Sequence, residues 1–267
     1  MALTLGDAPL SSHPRDTVNY RIDGPGHRLL FEPFPRRVRA VFGCETVLDT
    51  TNGMLLHESN LLPQLYLPRV DLREDLLART DHHTHCPFKG DASYWSITVN
   101  GQTADNAVWS YLDPLPEAAW LRDHVALYWD AMDAWFDEDE QVAGRLRDPY
   151  HRVDARSTSR QVRVVAGDEL IAVSRRAVLL SETGLPNRFY LPADDVRTDL
   201  LEPSNTQTVC PYKGTALYRS LRIPSGRIAD AAWCYPEPLD GVGAIRGYLC
   251  FAAKGIDTWV DGAPLPH

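Results

Sequence analysis

A chain of 267 residues with 44% hydrophobic and 24% charged side chains is a folded globular protein, long enough for two domains that each bury a core. Its formal net charge of −9 offers no general field to a phosphate backbone, so nucleic-acid binding is not expected. No apolar run approaches a membrane helix, Met1 to Ser12 lacks a basic stretch followed by an apolar one, and the 5 cysteines are not closely paired, so a cytoplasmic protein without membrane association is expected.

Residues 1–36, with Pro14, Gly24, Pro25, Gly26, Pro33 and Pro35, read as an irregular arm packed on a first domain at 37–136. That domain opens with a hairpin, Val38 to Phe42 and Glu45 to Leu48 around Gly43-Cys44. An apolar strand, Met54 to Glu58, follows, and the pattern of Val70, Leu72, Leu76 and Leu77 predicts a short helix over 70–78. Asn100-Gly101 supplies the two positive φ angles of a type I′ turn between Tyr94–Val99 and a strand from Gln102. Leu121, Val125, Tyr128, Met132 and Trp135 have helical spacing. The corresponding segment further on holds Gly241, Gly243, Gly247 and Gly255, each costing a helix about 1 kcal/mol, so a strand is expected in both places. The charged stretch 137–160 reads as a solvated linker, and 161–262 as a second domain.

The second domain repeats the first. Residues 38–99 and 162–223 align without a gap at an offset of 124, with 25 of 62 positions identical. A repeat of this length is a whole small domain rather than a solenoid unit. Cys86-Pro87-Phe88-Lys89-Gly90 returns as Cys210-Pro211-Tyr212-Lys213-Gly214, and Tyr66-Leu67-Pro68 as Tyr190-Leu191-Pro192. The Asn100-Gly101 turn is replaced by Pro224-Ser225-Gly226, which reads as one residue longer. Residues kept in both copies serve the common fold or a common site.

Glu58 after a Leu-Leu pair, Tyr-x-Pro at 66–68, Asp71-x-Arg73, Cys86-Pro-Phe-Lys-Gly90, Ala92-x-Tyr94 and Trp109-Ser-Tyr111 resemble the domain-of-unknown-function 427 family, here in tandem over about 30–135 and 160–260. The resemblance implies an α+β, mainly β fold: two β-tent-like domains, similar in shape to methionine sulfoxide reductase B. It implies no agreed activity. Relatives of that shape bind zinc through paired Cys-x-x-Cys knuckles, which this chain lacks.

Pro87 and Gly90 define a turn, and such a turn is indifferent to Lys89; a lysine kept in both copies is therefore a candidate for chemistry. Beside it, Cys86 is a candidate nucleophile and Lys89 a base, imine former or anion anchor. Glu58 and Glu182 end apolar strands, at a cleft or at a solvent edge. Tyr66, Tyr94, Trp109 and Tyr111, repeated as Tyr190, Tyr218, Trp233 and Tyr235, suit either a core or an aromatic-walled pocket, with Arg73, Arg197, Cys210 and Lys213 as further binding groups. For Arg73 a structural pair with a carboxylate competes with that role.

His82, His83 and His85 flank Cys86, and His57 precedes Glu58; the second copy has Thr206, Gln207, Val209 and Ser181 there. Imidazoles at this density suit a soft metal, but the common fold does not require them, and no metal or cofactor is expected. His83 and His85 remain candidate general bases. Two readings follow. One is an enzyme on a small polar or anionic molecule, with Glu58, His83 or His85, Lys89 and Cys86 as its catalytic groups in the first domain or at the interface of the two. The other is a non-catalytic module that binds a metabolite or a peptide end in each copy. The partner is then a small-molecule ligand, and association into a homodimer is left open.

Overall fold

The structure, a computed structural model, describes residues 3–265 apart from 7, 20 and 143. The chain divides into two units, Met1–Tyr150 and His151–His267. In the first unit the strands are β1 (Leu29–Pro33), β2 (Val38–Phe42), β3 (Glu45–Thr50), β4 (Met54–Glu58), β5 (Gln64–Pro68), β6 (Leu77–Cys86), β7 (Gly90–Val99), β8 (Gln102–Ser110), β9 (His124–Leu127), β10 (Ala134–Asp137) and β11 (Glu140–Gln141). They form an antiparallel seven-stranded sheet, β1-β4-β5-β9-β8-β7-β6, and a four-stranded one, β11-β10-β2-β3. The second unit repeats this with β12 (Val153–Ser157), β13 (Val162–Ala166), β14 (Glu169–Ser174), β15 (Val178–Glu182), β16 (Arg188–Leu191), β17 (Leu201–Cys210), β18 (Gly214–Ile223), β19 (Gly226–Cys234), β20 (Leu249–Phe251), β21 (Asp257–Val260) and β22 (Ala263–Pro264). Its sheets are β12-β15-β16-β20-β19-β18-β17 and β14-β13-β21-β22. The protein is thus mainly β, with two similar halves, and its helical elements among the described residues are short 3-10 turns.

Strand alternation decides which side chains reach the site. Leu55, Leu65, Leu67, Val125 and Leu127 pack with Val38, Ala40 and Val47 of the small sheet, forming the core between the sheets. Their neighbours Leu56, Tyr66 and Ala126 therefore face the other way, into a second apolar layer covered by the 3-10 segment Pro116–Leu121. Among the described residues no helix is long and apolar enough to cross a membrane.

Three sequence expectations change and one holds. The helix over 70–78 is two 3-10 turns, Arg69–Asp71 and Glu74–Leu76. The chain between them is extended, because Leu72 bridges to Leu48 and the Arg73 N–H donates to the Val47 carbonyl at 2.9 Å. The helical spacing from Leu121 to Trp135 spans β9 and β10, which lie in different sheets; the strand assignment holds and the periodicity misleads. Pro224-Ser225 is no longer than Asn100-Gly101, since Ile223 pairs with Gly226 as Val99 pairs with Gln102. Finally, 137–160 is not wholly linker. Val153–Ser157 is the edge strand of the second sheet, pairing with β15 as Leu29–Pro33 pairs with β4. The repeat therefore begins earlier than the sequence comparison placed it.

Candidate functional site

Glu58 follows Leu56 by two positions on β4, so its carboxylate leaves the strand on the outer face of the large sheet. Lys89 arrives from the β6–β7 turn. Its N–H donates to the Cys86 carbonyl at 3.3 Å, and Gly90 leaves the turn at φ +100°, a conformation that disfavours any side chain. A Cβ on Gly90 would also lie 3.5 Å from the Asp113 carbonyl oxygen. The turn holds the lysine inward: Lys89 is 7% exposed and Glu58 6%.

There the ammonium of Lys89 donates to Glu58 Oε2, while His27 Nε2–H donates to Oε1 at 2.9 Å. One carboxylate is held between an ammonium and an imidazole. The second unit builds the same group from His151, Glu182 and Lys213, with His151 Nε2 to Glu182 Oε1 at 3.0 Å and Lys213 on Oε2. Burial pushes the Glu182 carboxyl up, but hydrogen bonds from His151 and Lys213 outweigh it and hold it below its ordinary value of 4.5.

Glu58 and Lys89 open into a cavity of about 530 Å³, with Tyr66, Trp109, Tyr111 and Leu56 on its wall. Burial pushes the Tyr66 and Tyr111 phenols upward, so both stay protonated at neutral pH. In the second unit Trp233 Nε1–H donates to the Tyr190 hydroxyl at 3.0 Å, and Tyr190 and Tyr235 are likewise pushed up by burial. Trp109 does the same for Tyr66, opposing the effect of burial. A phenol that accepts from tryptophan still has its own proton to donate.

Other candidates lie elsewhere. Arg73 pairs with Asp75 at 2.7 and 2.8 Å, and Arg197 with Asp199 at 2.7 and 2.9 Å, all on the exposed surface; neither joins the site. The hydroxyls of Tyr94 and Tyr218 bond to Thr84 and Thr208. Cys86 and Cys210 are half-buried against the outer apolar layer, and neither thiol is bonded to the nearby lysine side chain among the described residues.

The histidine cluster is also misplaced by the sequence reading. His83 and His85 are exposed on β6, where His83 Nδ1 contacts the Asp81 carbonyl at 3.2 Å and His85 Nδ1 contacts Asp91 Oδ1 at 2.6 Å. His82 packs on Tyr94 with ring centroids 4.4 Å apart. Among the described residues no three His, Cys, Asp or Glu side chains gather to hold a metal. His57 points away from Glu58, because adjacent strand residues alternate, and bonds to Glu32 at 2.9 Å.

The histidines of the site are instead His27 and His151, two residues ahead of β1 and β12. Sequence reasoning missed both, yet a signal was present: continuing the offset of 124 upstream aligns His27-Arg28 with His151-Arg152.

Residues 30–138 and 154–262 each match the family described as a domain of unknown function (DUF427). The chain belongs to that family and carries it in two copies. No curated protein matches the chain.

Proposed function

We propose that the first unit carries a proton-transfer site for a small polar or anionic molecule. Lys89 faces the ligand, Glu58 takes up and returns the lysine proton, and His27 Nε2–H holds the carboxylate in place. Tyr66 and Tyr111 donate hydrogen bonds to an oxygen of the ligand. The observation that carries the reading is the construction of the same ammonium–carboxylate–imidazole group twice, once in each unit. A buried ion pair is a weak source of stability, and a hydrophobic pair of similar volume serves a core as well or better. Cys86 has no part in the step, and the exposed His83 and His85 are replaced by His27. Five unpaired cysteines support a reducing, cytoplasmic setting.

The test is solvent deuterium exchange. The protein is incubated in D2O with a panel of small oxo acids and carbonyl compounds, and carbon-bound deuterium is read by NMR. Wild type labels at least one compound; Lys89→Met abolishes labelling and His27→Gln slows it. A folded Lys89→Met variant that labels as well as wild type, or a panel left unlabelled by wild type, sinks the reading.

The second reading, a tandem binding module, is favoured by the equal geometry of the His151–Glu182–Lys213 group. It requires two comparable sites per chain, so Lys89→Met and Lys213→Met would each remove half of the bound ligand. A proton-transfer site confined to the first unit loses its activity with Lys89→Met alone.

A further inference from the structure

The cavity of the first unit presents an unbalanced set of polar groups. Among the described residues Glu58 is its one carboxylate, and both of its oxygens are already taken, by Lys89 and His27. Of the three N–H bonds of Lys89, one is spent on Glu58, and no other partner is found among the described residues. The phenol of Tyr66 retains its own proton, and Tyr111 has no hydrogen-bond partner among the described residues. Arg145 also lines the cavity, is exposed, and makes no ion pair among the described residues. The lining charge is therefore one positive unit after Lys89 and Glu58 cancel. The amide of Gln64 donates to the Leu65 carbonyl, leaving its oxygen as a minor acceptor. Donors outnumber acceptors, so a ligand must bring oxygens and a negative charge.

Apart from Asn60, whose amide is engaged with Ser12, the rest of the wall is apolar. Leu61 and Leu62, at 51% and 48% exposure, stand at the cavity beside Leu56 and Trp109. Two adjacent leucines left in water beside a cavity gain by covering an apolar body, at about 25 cal/mol per Å² removed from water. At about 530 Å³ the cavity lies in the range that encloses small organic ligands.

We infer that the ligand of the first unit is an amphipathic organic monoanion: an apolar body held by Leu56, Leu61, Leu62 and Trp109, an acidic group on Arg145, and an oxygen-bearing end at Lys89, Tyr66 and Tyr111. The inference rests on the reading of this cavity as a ligand site and adds the class of molecule. The negative charge of the whole chain gives an organic anion no general attraction, so the guanidinium must supply it locally.

Two dyes of the same shape separate charge from shape: anilinonaphthalene sulfonate, a monoanion, and N-phenylnaphthylamine, its neutral counterpart. Fluorescence titrations are run on the full chain, with circular dichroism to verify folding. Both dyes bind wild type, and Leu62→Asp weakens both. Arg145→Glu weakens the sulfonate by roughly tenfold or more, the worth of a lost charge-assisted hydrogen bond, and leaves the neutral dye within about twofold. Octanoate displaces the bound sulfonate, and octanol does not.

If Arg145→Glu changes both dyes alike, or neither, the anionic assignment is overturned while the cavity remains a binding site. If Leu62→Asp leaves both dyes unaffected, or neither dye binds wild type, the cavity reading itself falls and the inference falls with it.

Discussion

In the first unit the His27 ring lies flat on Phe88, with centroids 3.6 Å apart and planes 8° apart, and its side chain keeps 19% of its surface. In the second, His151 is tilted 42° against Tyr212 at 4.2 Å, and its side chain keeps 2%. The carboxylate and ammonium are the same in both. What differs is the reach of the imidazole toward water: the first ring is partly exposed, whereas the second is covered. Duplication has preserved the constellation and varied its access. Aromatic packing varies too, since Phe31 stacks on Trp120 at 4.6 Å where the second unit has Ala155 and Ala244.

The largest expected effect breaks the shared part. Lys89→Met or Lys213→Met leaves a buried carboxylate without its cation, costing its own unit about 3–5 kcal/mol. Hydrogen exchange read by mass spectrometry assigns the loss to one half of the chain. Equal losses identify the groups as structural equivalents, and a loss in only one half ends the comparison.

Phe31→Ala comes next. It removes a stack that only the first unit has and lowers that unit's stability by about 2 kcal/mol, measured by urea unfolding followed through tryptophan fluorescence.

The third test uses pH. Glu182 has a lowered pKa in the folded chain, so the native state binds fewer protons there than the unfolded state does. Its contribution to stability is complete above the ordinary value of 4.5 and is lost as pH falls through the lower folded value. Glu182→Gln should reduce overall stability and flatten the acid limb of the second unit's stability curve. An unchanged acid limb would contradict the charged assignment of this carboxyl.

The smallest effect is expected from His83→Ala with His85→Ala. These exposed side chains lie outside the cavity, so the melting temperature should stay within about 1 °C and deuterium labelling should be unaltered. A loss of labelling would restore the histidine cluster to the site.

The parts of this arrangement visible in sequence were those with a local signature. Glu58, Lys89, Tyr66, Trp109 and Tyr111 stood out because the second copy repeats them, and the cavity brings them together. Arg73, Arg197, Tyr94 and Tyr218 repeat equally well but serve surface pairs and strand contacts, so repetition alone did not separate site from scaffold. His27 was hidden for a physical reason. It sits in an irregular, proline-flanked stretch with no periodicity, and its partner is 31 residues away across a strand pairing that only the folded sheet reveals. The expected helix at 70–78 failed for a related cause: its apolar spacing was right, but a long-range bridge to Leu48 split it.

Two similar halves on one chain carry a hazard of mistaken assembly, because the edge strand of one could dock on the sheet of the other. His27 and His151 both sit two residues ahead of their strands, so a swapped strand would still bring an imidazole to the carboxylate. The strands themselves guard against it. Leu29-Leu30-Phe31-Glu32-Pro33 and Val153-Asp154-Ala155-Arg156-Ser157 share no residue. An exchange would leave Trp120 facing Ala155 and place Phe31 over Ala244, an unfilled gap in one half and an unmatched ring in the other. The divergence of these two edge strands therefore acts as an address label, directing each to its own sheet.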